Sequence, residues 1–433
     1  MNSNNLDVLI TDYISSDIGE DDNHFYSSKL AILDTIGCII EASNHENVLQ
    51  FASKNNISLN FKNPFKNFSD NESYENISWY LTVLTRWFDY NDTFLAKEWA
   101  HPSDNFGSIY SYFYKNKNYK FNDFTNALTK AYEIQGSLCL GTSLNKLGYD
   151  HVFYVKLASG SVFSYLVNNG DTNATRRTVN NILLDGPSLR AYRHFPNVGK
   201  RKSWAAADAS RRGIELAIIS SHKDEIYESA QNEDKWGFES NFLGNSKIEF
   251  GKDLNNWVIQ NILFKVLFPA EFHGQSAVEA AIELSKEFNT NINKFKKINI
   301  YTHEPALRII SNKEVLKNAS DRDHSIEYMV AAALLYGELK YEMYEESFEG
   351  FENINNLRKK IFVSEEPQFT KDYYEFSKRY IPNSIEIVYN DNSTSEKITI
   401  ENPIGHPSRR EEAIPLLKDK FTRNVKSLFD IEK

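Results

Sequence analysis

The chain has 433 residues, of which 41% are hydrophobic and 14% aromatic, so it can bury a large core and divide into two domains. Its formal net charge of -10 argues against nucleic acid as a partner, because a phosphate backbone would be repelled. No apolar run approaches the length of a membrane span, and the N-terminus is acidic, so we expect a cytoplasmic protein without a membrane anchor.

Helical periodicity dominates the first part of the chain. Apolar residues recur at helical spacing up to about Phe264, in SSKLAILDTIGCIIEA, WYLTVLTRWF, TNALTKAYEIQG, residues 153–167 and SRRGIELAIIS. We expect residues 1–265 to form a large all-helical domain, which a C-terminal helix in residues 405–433 completes.

The pattern changes in residues 266–404, for which we predict a smaller α/β lid domain. KKINIYTH, from Lys296, has the composition of a strand, and SIEIVYN and SEKITIE predict a hairpin that turns at residues 390–393. Helices are predicted between these strands, in HSIEYMVAAALLYG and in the Glu-rich segment up to Lys360. The predicted fold class is therefore mainly α, with an α/β lid.

The two cysteines limit the chemistry. Cys38 and Cys139 both lie in apolar runs, which favours buried, reduced thiols over a disulfide. An iron–sulfur cluster is typically held by three or four thiolates, so two cysteines exclude cluster chemistry. We predict no metal site and no cofactor.

The segment WFDYNDTFLAKEWAHPSDN carries the densest group of polar candidates. Asp89, Asp92 and Thr93 stand at i, i+3 and i+4, so on a helix they would share one face. Pro102 predicts the start of a new helix, where backbone donors favour an anion and the imidazole of His101 can move a proton. This combination suits chemistry on a carboxylate. The alternative is a solvated helix end, with His101 bonded inside a turn.

Basic residues concentrate in RAYRHFPNVGKRK, just before a predicted helix. Arginine can bind a carboxylate through two parallel hydrogen bonds, and backbone donors at the helix start add to it. A solvated basic loop is the alternative for any single member. The predicted carboxylate-binding residues of this segment are Arg190, Arg193, Arg201 and Lys202.

Three further candidates stand out by their context. His273 follows Pro269 in the first turn of a predicted helix, where the helix dipole favours a neutral imidazole. His151 follows Asp150, an arrangement that can orient the ring. Tyr328 stands at helical spacing in an apolar run. Without other information, a lone histidine is more often structural than catalytic, and such a tyrosine ordinarily belongs to the core.

The string TRWFDYNDTFLAKEWAHPSDNFGSI closely resembles the MmgE/PrpD family, which includes 2-methylcitrate dehydratases and cis-aconitate decarboxylase. The resemblance recurs in the same order in LAILDTIGC, KAYEIQG, GYDHVFYVKLAS, DGPSLRAYRHFPNVGKRKSWAAADAS, NILFKVLFPAEFHGQSAVEAA, DRDHSIEYMVA, EEPQFTKDYYEFSKRYIPN and PIGHPSRREEAIPLLKDKF. Many long matches in register are a strong signal, whereas one short motif would be weak.

The resemblance implies elimination of water from 2-methylcitrate, in the methylcitrate cycle of propionate catabolism, with citrate and cis-aconitate as further candidate substrates. It implies a small tricarboxylate substrate, a homodimer and no cofactor. Lys202 matches the lysine that the family places in its active site, and His101 is the first choice for proton transfer. The implied site comprises the catalytic residues Asp89, Thr93, His101, His151, His273 and Tyr328, and the substrate-binding residues Lys202 and Lys265.

Two alternatives stay open. A cis-aconitate decarboxylase shares the Asp, Thr, His and Lys set but usually has a shorter spacing between the threonine and the histidine; here FLAKEWA separates Thr93 from His101. A non-catalytic protein of the same fold is disfavoured because the set of polar positions is intact. The sequence departs from the family at Ala100, where glycine is usual, and at Gly141-Thr142, where Glu-Asn is more common.

We predict that dehydration of 2-methylcitrate by the purified protein does not depend on iron, because Cys38 and Cys139 are too few to hold a cluster. Treatment with a chelator should leave the rate unchanged. Activity that disappears on chelation and returns with added iron and sulfide would contradict this prediction.

Overall fold

The computed structural model describes residues 5–19, 22–52, 63–66, 68–194, 196–223, 225–286, 292–426 and 428. The chain divides into two compact units. The first comprises Met1–Tyr192, Ser203–Leu263 and Lys418–Lys433, and the second comprises Arg193–Lys202 and Phe264–Leu417. Residues 193–202 therefore group with the second unit, although the sequence analysis placed them in the first domain.

Helices build most of the first unit, and the mainly α fold predicted from the periodicity is confirmed. In chain order the helices are α1 (Leu6–Ser15), α2 (Asp22–Ser43), α3 (Glu46–Ala52), α4 (Tyr74–Arg86), α5 (Phe106–Lys115), α6 (Phe121–Gly141), α7 (Val152–Val167), α8 (Thr172–Asp185), α9 (Arg201–Ile219), α10 (Phe238–Phe242) and α11 (Trp257–Gln260). The first two residues of α9 belong to the second unit. The expectation that this part is all-helical is wrong in one place: β1 (Phe94–Leu95) and β2 (Trp99–Ala100) pair as an antiparallel hairpin.

Two glycines of the first unit allow close backbone approaches. A Cβ at Gly107, in α5, would lie 2.5 Å from Thr82 Oγ1 and 2.7 Å from the carbonyl of Ser78, both in α4. A Cβ at Gly141 would lie 1.9 Å from the carbonyl oxygen of Glu249. The glycine at position 141, which departs from the family pattern, therefore fits the backbone that packs against it here.

The second unit combines a four-stranded sheet with helices. Its strands are β3 (Phe295–Thr302), β4 (Ile361–Glu365), β5 (Asn383–Tyr389) and β6 (Ile398–Ile400), and their order in the sheet is β4-β3-β5-β6. Its helices are α12 (Gln275–Ser285), α13 (Glu304–Ile310), α14 (Ala319–Arg322), α15 (Ile326–Tyr336), α16 (Phe351–Arg358) and α17 (Pro367–Tyr374); α18 (Arg410–Val425) begins in this unit and ends in the first.

The strand predicted from Lys296 and the predicted hairpin are both confirmed, as β3 and as the antiparallel pair β5 and β6. Strand β4, parallel to β3, was not predicted. The apolar face of the sheet, with Ile298, Ile300 and Ile385, shares one core with α12 and α15. Among the described residues, no helix is both long and apolar enough to cross a membrane.

A buried ion pair joins α18 to the rest of the first unit. The Lys420 ammonium lies 2.7 Å from Asp34 Oδ1, in α2, and 2.7 Å from the carbonyl oxygen of Tyr90, in the loop after α4. Burial alone lowers the pKa of Lys420, but the attraction of Asp34 outweighs it, so the pKa is raised overall. Lys420 thus anchors the loop that carries the predicted site.

We predict that Lys420→Met lowers the free energy of unfolding by about 3 to 5 kcal/mol, because it leaves Asp34 as an uncompensated buried charge. Lys418→Met, at an exposed position of the same helix, is the control and should change it by less than about 0.5 kcal/mol. Urea titration followed by circular dichroism measures both. Equal stability of the two variants would contradict the prediction.

Candidate active site

The predicted helical face of Asp89, Asp92 and Thr93 is wrong, because α4 ends at Arg86. Asp89 adopts a φ of 48°, in the left-handed region that a helix cannot contain and that costs most residues energy, although aspartate tolerates it better than most. These side chains therefore stand on a folded loop and share no helical face. What holds the loop is a set of polar contacts that helical periodicity does not reveal.

Arg86 organises this loop from the last turn of α4. Its Nη1 donates to Asp89 Oδ1 at 2.9 Å and to Asn91 Oδ1 at 3.0 Å, and its Nε lies 3.4 Å from Asp104 Oδ1. The side chain is 3% exposed, so these contacts are desolvated and strong. Arg86 was not among the residues predicted from the sequence. Its signal was a cation in the last turn of an apolar helix, directly before an acidic segment.

Asp92 joins the loop to the segment after His101. Its carboxylate accepts hydrogen bonds from the backbone N–H of Ser103 at 3.0 Å, from the Ser103 hydroxyl at 2.7 Å and from Tyr132 at 2.8 Å. Burial raises the pKa of Asp92 to about 6, although these hydrogen bonds lower it in part.

His101 precedes the 3₁₀ helix Pro102–Asn105, beside a helix start as predicted. Its Nδ1 lies 2.7 Å from the carbonyl oxygen of Asp92 and 3.3 Å from Thr93 Oγ1. A carbonyl only accepts, so Nδ1 carries a proton, and in the neutral ring the lone pair is on Nε2. Asp89 Oδ1 lies 3.7 Å from that Nε2. The arrangement suits a proton acceptor whose protonated form is stabilised by Asp89.

His151 lies beside His101, with 6.4 Å between the ring centroids. It immediately precedes α7 and is buried. Its Nδ1 lies 3.2 Å from Arg190 Nη1 and 3.4 Å from Asp150 Oδ1. Asp150 was predicted to orient the His151 ring. In the structure Nδ1 has two neighbours, and Arg190 is closer to it than Asp150.

The residues FLAKEWA form the β1–β2 hairpin and its turn. Glu98, at the turn, is buried and accepts hydrogen bonds from the backbone N–H of Asn145 at 2.7 Å and from its side chain at 2.9 Å. Thr93, at the base, exchanges two backbone hydrogen bonds with Leu263, at 2.8 and 2.7 Å. The long spacing between Thr93 and His101 is thus an ordered element.

In the second unit, Lys202 is paired with an acid. Its ammonium donates to Asp323 Oδ1 at 2.6 Å and lies 3.0 Å from His324 Nδ1, which is itself 2.6 Å from Asp323 Oδ1. An ammonium has three protons, so Lys202 retains donors beyond the one that Asp323 takes.

His273 is fully buried in the 3₁₀ helix Phe272–Gly274, ahead of α12. Its Nδ1 lies 2.8 Å from Glu271 Oε1 and its Nε2 lies 3.1 Å from the Tyr373 hydroxyl. Burial raises the pKa of Glu271, but His273 and then His324 and Lys265 outweigh this effect, so the pKa lies below its ordinary value. The position of His273 at a helix start did not reveal this carboxylate partner.

The remaining predicted residues are less closely grouped. Tyr328, in α15, is fully buried, and its hydroxyl donates to the carbonyl of Met343 at 2.6 Å. Arg193 and Arg201 are half-buried residues of the second unit, whereas Arg190 belongs to the first.

The structure thus brings together Asp89, Thr93, His101, His151 and Arg190 in one unit, and Lys202 with Asp323 and His324 in the other. In the described part of the chain, no group of three or more metal-ligating side chains is arranged to hold an ion.

Two family models match this chain. The MmgE/PrpD N-terminal domain matches residues 10–251, and the MmgE/PrpD C-terminal domain matches residues 268–433. The residues grouped around His101 and those grouped around Lys202 lie within these matches.

Named relatives extend the comparison. A 2-methylcitrate dehydratase of Escherichia coli K12 is 41% identical over 366 residues, which cover 81% of this chain and 74% of that protein. A mitochondrial 2-methylcitrate dehydratase of Yarrowia lipolytica is 35% identical over 435 residues, 97% of this chain and 84% of that protein. A probable 2-methylcitrate dehydratase of Saccharomyces cerevisiae is 39% identical, over 81% of this chain and 71% of that protein.

We predict that Asp92→Asn changes the pH dependence of stability. A carboxyl whose folded pKa is raised, here to about 6, contributes stability that is fully present below the unfolded value near pH 4 and is lost as the pH rises through the folded pKa. The asparagine cannot ionise. The unfolding free energy of the wild type minus that of the variant should therefore fall by about 3 kcal/mol between about pH 4 and pH 7.

Urea titrations of both proteins across that range measure this difference, with Asp253→Asn, at an exposed position of the same unit, as the control. A difference between wild type and Asp92→Asn that does not vary with pH would contradict the prediction.

Proposed function

Because this chain belongs to the MmgE/PrpD family, we propose that it is a 2-methylcitrate dehydratase, which eliminates water from 2-methylcitrate to give 2-methyl-cis-aconitate. Relatives of that name, at 35 to 41% identity over most of the chain, support the substrate. The observation that carries the chemistry is the hydrogen bonding of His101, which leaves Nε2 as a proton acceptor beside Asp89.

The proposed reaction needs one group that takes a proton from carbon. His101 Nε2 removes the proton from the carbon next to a substrate carboxylate, and the electron pair of the C–H bond passes into that carboxylate. The C–O bond of the neighbouring carbon then breaks, its electrons leave with the hydroxyl oxygen, and the C=C bond forms. His101 returns the proton to the hydroxyl, which departs as water. Asp89, 3.7 Å from Nε2, stabilises the imidazolium between the two steps.

Thr93 and Asp92 act on His101 by fixing its ring. The Asp92 carbonyl and the Thr93 hydroxyl both contact Nδ1, so the ring cannot turn without losing these contacts. Such support of the tautomer and orientation is what a general base requires.

Carboxylate binding is proposed for the basic residues of the second unit. Lys202 has ammonium protons beyond the one given to Asp323, and Lys265 is a fully buried cation. The half-buried Arg193 and Arg201 offer guanidinium donors. For His273 and Tyr328 we retain the catalytic roles that the family resemblance implies. Both ring nitrogens of His273 and the hydroxyl of Tyr328 already have protein partners.

We also propose that the enzyme acts in the cytoplasm as a homodimer, in propionate breakdown, as the resemblance to the family implies. Light scattering at micromolar concentration would test the dimer. A mass equal to one chain would reject it.

Incubation of the protein with 2-methylcitrate, and separately with citrate, tests the proposed reaction. Formation of an unsaturated tricarboxylate, followed by its ultraviolet absorbance, is the expected result. A third incubation uses cis-aconitate, from which release of carbon dioxide without dehydration of 2-methylcitrate would instead establish a decarboxylase. No reaction with any of the three compounds would reject an enzyme of this type.

We predict that His101→Asn lowers kcat by about a hundredfold or more, because the variant cannot accept the carbon proton. The asparagine keeps a polar group near the Asp92 carbonyl, so the melting temperature should change little. His222→Asn, an exposed histidine after α9, is the control and should keep full activity. A variant of His101 that melts much earlier but turns over normally while folded would show that this histidine is structural.

A further inference from the structure

We propose that His151 acts as a neutral hydrogen-bond donor to the substrate carboxylate, and that Arg190 is the positioning residue that keeps it in this form. This inference rests on the dehydration proposed above. It gives Arg190 a role through His151, whereas the sequence analysis predicted direct contact between Arg190 and the substrate.

The proton of His151 is located by its neighbours. Arg190 Nη1 lies 3.2 Å from His151 Nδ1, and a guanidinium only donates, so Nδ1 must accept and the proton resides on Nε2. Asp150 Oδ1, at 3.4 Å, is the competing partner, but it already accepts the backbone N–H of Val152 at 3.1 Å. A proton on Nδ1 would also point at the guanidinium protons.

The charges around the ring support the same form. Arg190 is a permanent cation against Nδ1, and a second positive charge on the imidazole beside it would be repelled. The negative charge of Asp150 opposes the repulsion from Arg190. The other titratable groups near the ring are His101 and, beside it, Asp89. The shorter contact is with the cation, so His151 stays neutral in the arrangement observed.

The β1–β2 hairpin holds Arg190 in place. Its guanidinium lies 5.0 Å from the centre of the Trp99 ring, within the range of a cation–π contact. Burial raises the pKa of Glu98, and the charge of Arg190 partly opposes this rise, so the two side chains attract each other. Glu98 and Trp99 are part of FLAKEWA. The long spacing between Thr93 and His101 therefore supplies the residues that support Arg190.

A neutral donor matches what the reaction demands. When His101 removes the carbon proton, negative charge moves onto the oxygens of the adjacent carboxylate, and a fixed donor there lowers the barrier. The Nε2–H of His151 stabilises this charge by a hydrogen bond and stays bonded to nitrogen throughout. The carbon proton travels to His101 and then to the leaving hydroxyl, so no other acid is needed. Rings 6.4 Å apart can contact a carbon and the carboxylate attached to it.

Nitrogen NMR of protein labelled with 15N in its histidine side chains tests the protonation of His151 without any reaction, and His151→Gln identifies its signals. We expect a protonated Nε2 and an unprotonated Nδ1 from about pH 6 to about pH 8. A proton on Nδ1 in the wild-type protein would overturn the proposal. In Arg190→Gln the proton should move partly or wholly to Nδ1, towards Asp150. An unchanged signal there would remove Arg190 from its positioning role.

Kinetics with 2-methylcitrate separates positioning from substrate binding. Arg190→Gln should lower kcat about tenfold or more with KM within about threefold, and His151→Gln should lower kcat about a hundredfold. Arg211→Gln, a half-buried arginine of α9, is the control and should keep wild-type values. A raised KM with unchanged kcat in Arg190→Gln would overturn the proposal in favour of direct binding.

The two proposals fail in different ways. A wild-type protein that does not dehydrate 2-methylcitrate rejects the proposed function and, with it, the role of His151 towards the substrate. The NMR signals still decide whether Arg190 fixes the proton of His151.

Discussion

The site of the first unit depends on one buried cation. Arg86 is 3% exposed and stands among Asp89, Asn91 and Asp104, so it compensates two buried carboxylates that would otherwise repel each other. Removing one member of such a buried group typically costs several kcal/mol, because the remaining charges lose their partner. By holding Asp89 in a left-handed backbone conformation, Arg86 places its carboxylate 3.7 Å from His101. The carboxylate next to the proposed base is therefore positioned by a residue that need not contact the substrate.

Sequence periodicity predicted the long helices because each buries an apolar face. The strand β3 and the β5–β6 pair were predicted for the same reason, because their sheet also buries an apolar face. It did not reveal β1 and β2, since strands of two residues are too short to show alternation. Strand β4 was missed because it is only five residues long and lies directly between two helices, α16 and α17. The grouping of residues 193–202 with the second unit depends on contacts distant in the sequence, such as that between Lys202 and Asp323.

The residue types in WFDYNDTFLAKEWAHPSDN predicted that Asp89, Thr93 and His101 lie together, but their spacing suggested the wrong local structure. The structure does bring Asp89, Thr93 and His101 into contact distance, but through a loop instead of a helical face. The i, i+3, i+4 rule applies only while the helix continues, and the polar side chains that end it satisfy one another outside the helix. The sequence therefore did not reveal that Arg86 and Asp92 hold the loop together, although Asp92 lies within this segment and Arg86 directly precedes it.

The chemical role of each histidine is set by the partner of its second nitrogen. A carbonyl at Nδ1 of His101 fixes a proton there and leaves Nε2 as a base, whereas a guanidinium at Nδ1 of His151 requires a lone pair there and leaves Nε2 as a donor. His273 has a carboxylate at one nitrogen and a hydroxyl at the other, so both are occupied. Identical side chains thus present opposite hydrogen-bonding groups at Nε2, and only their three-dimensional partners distinguish them.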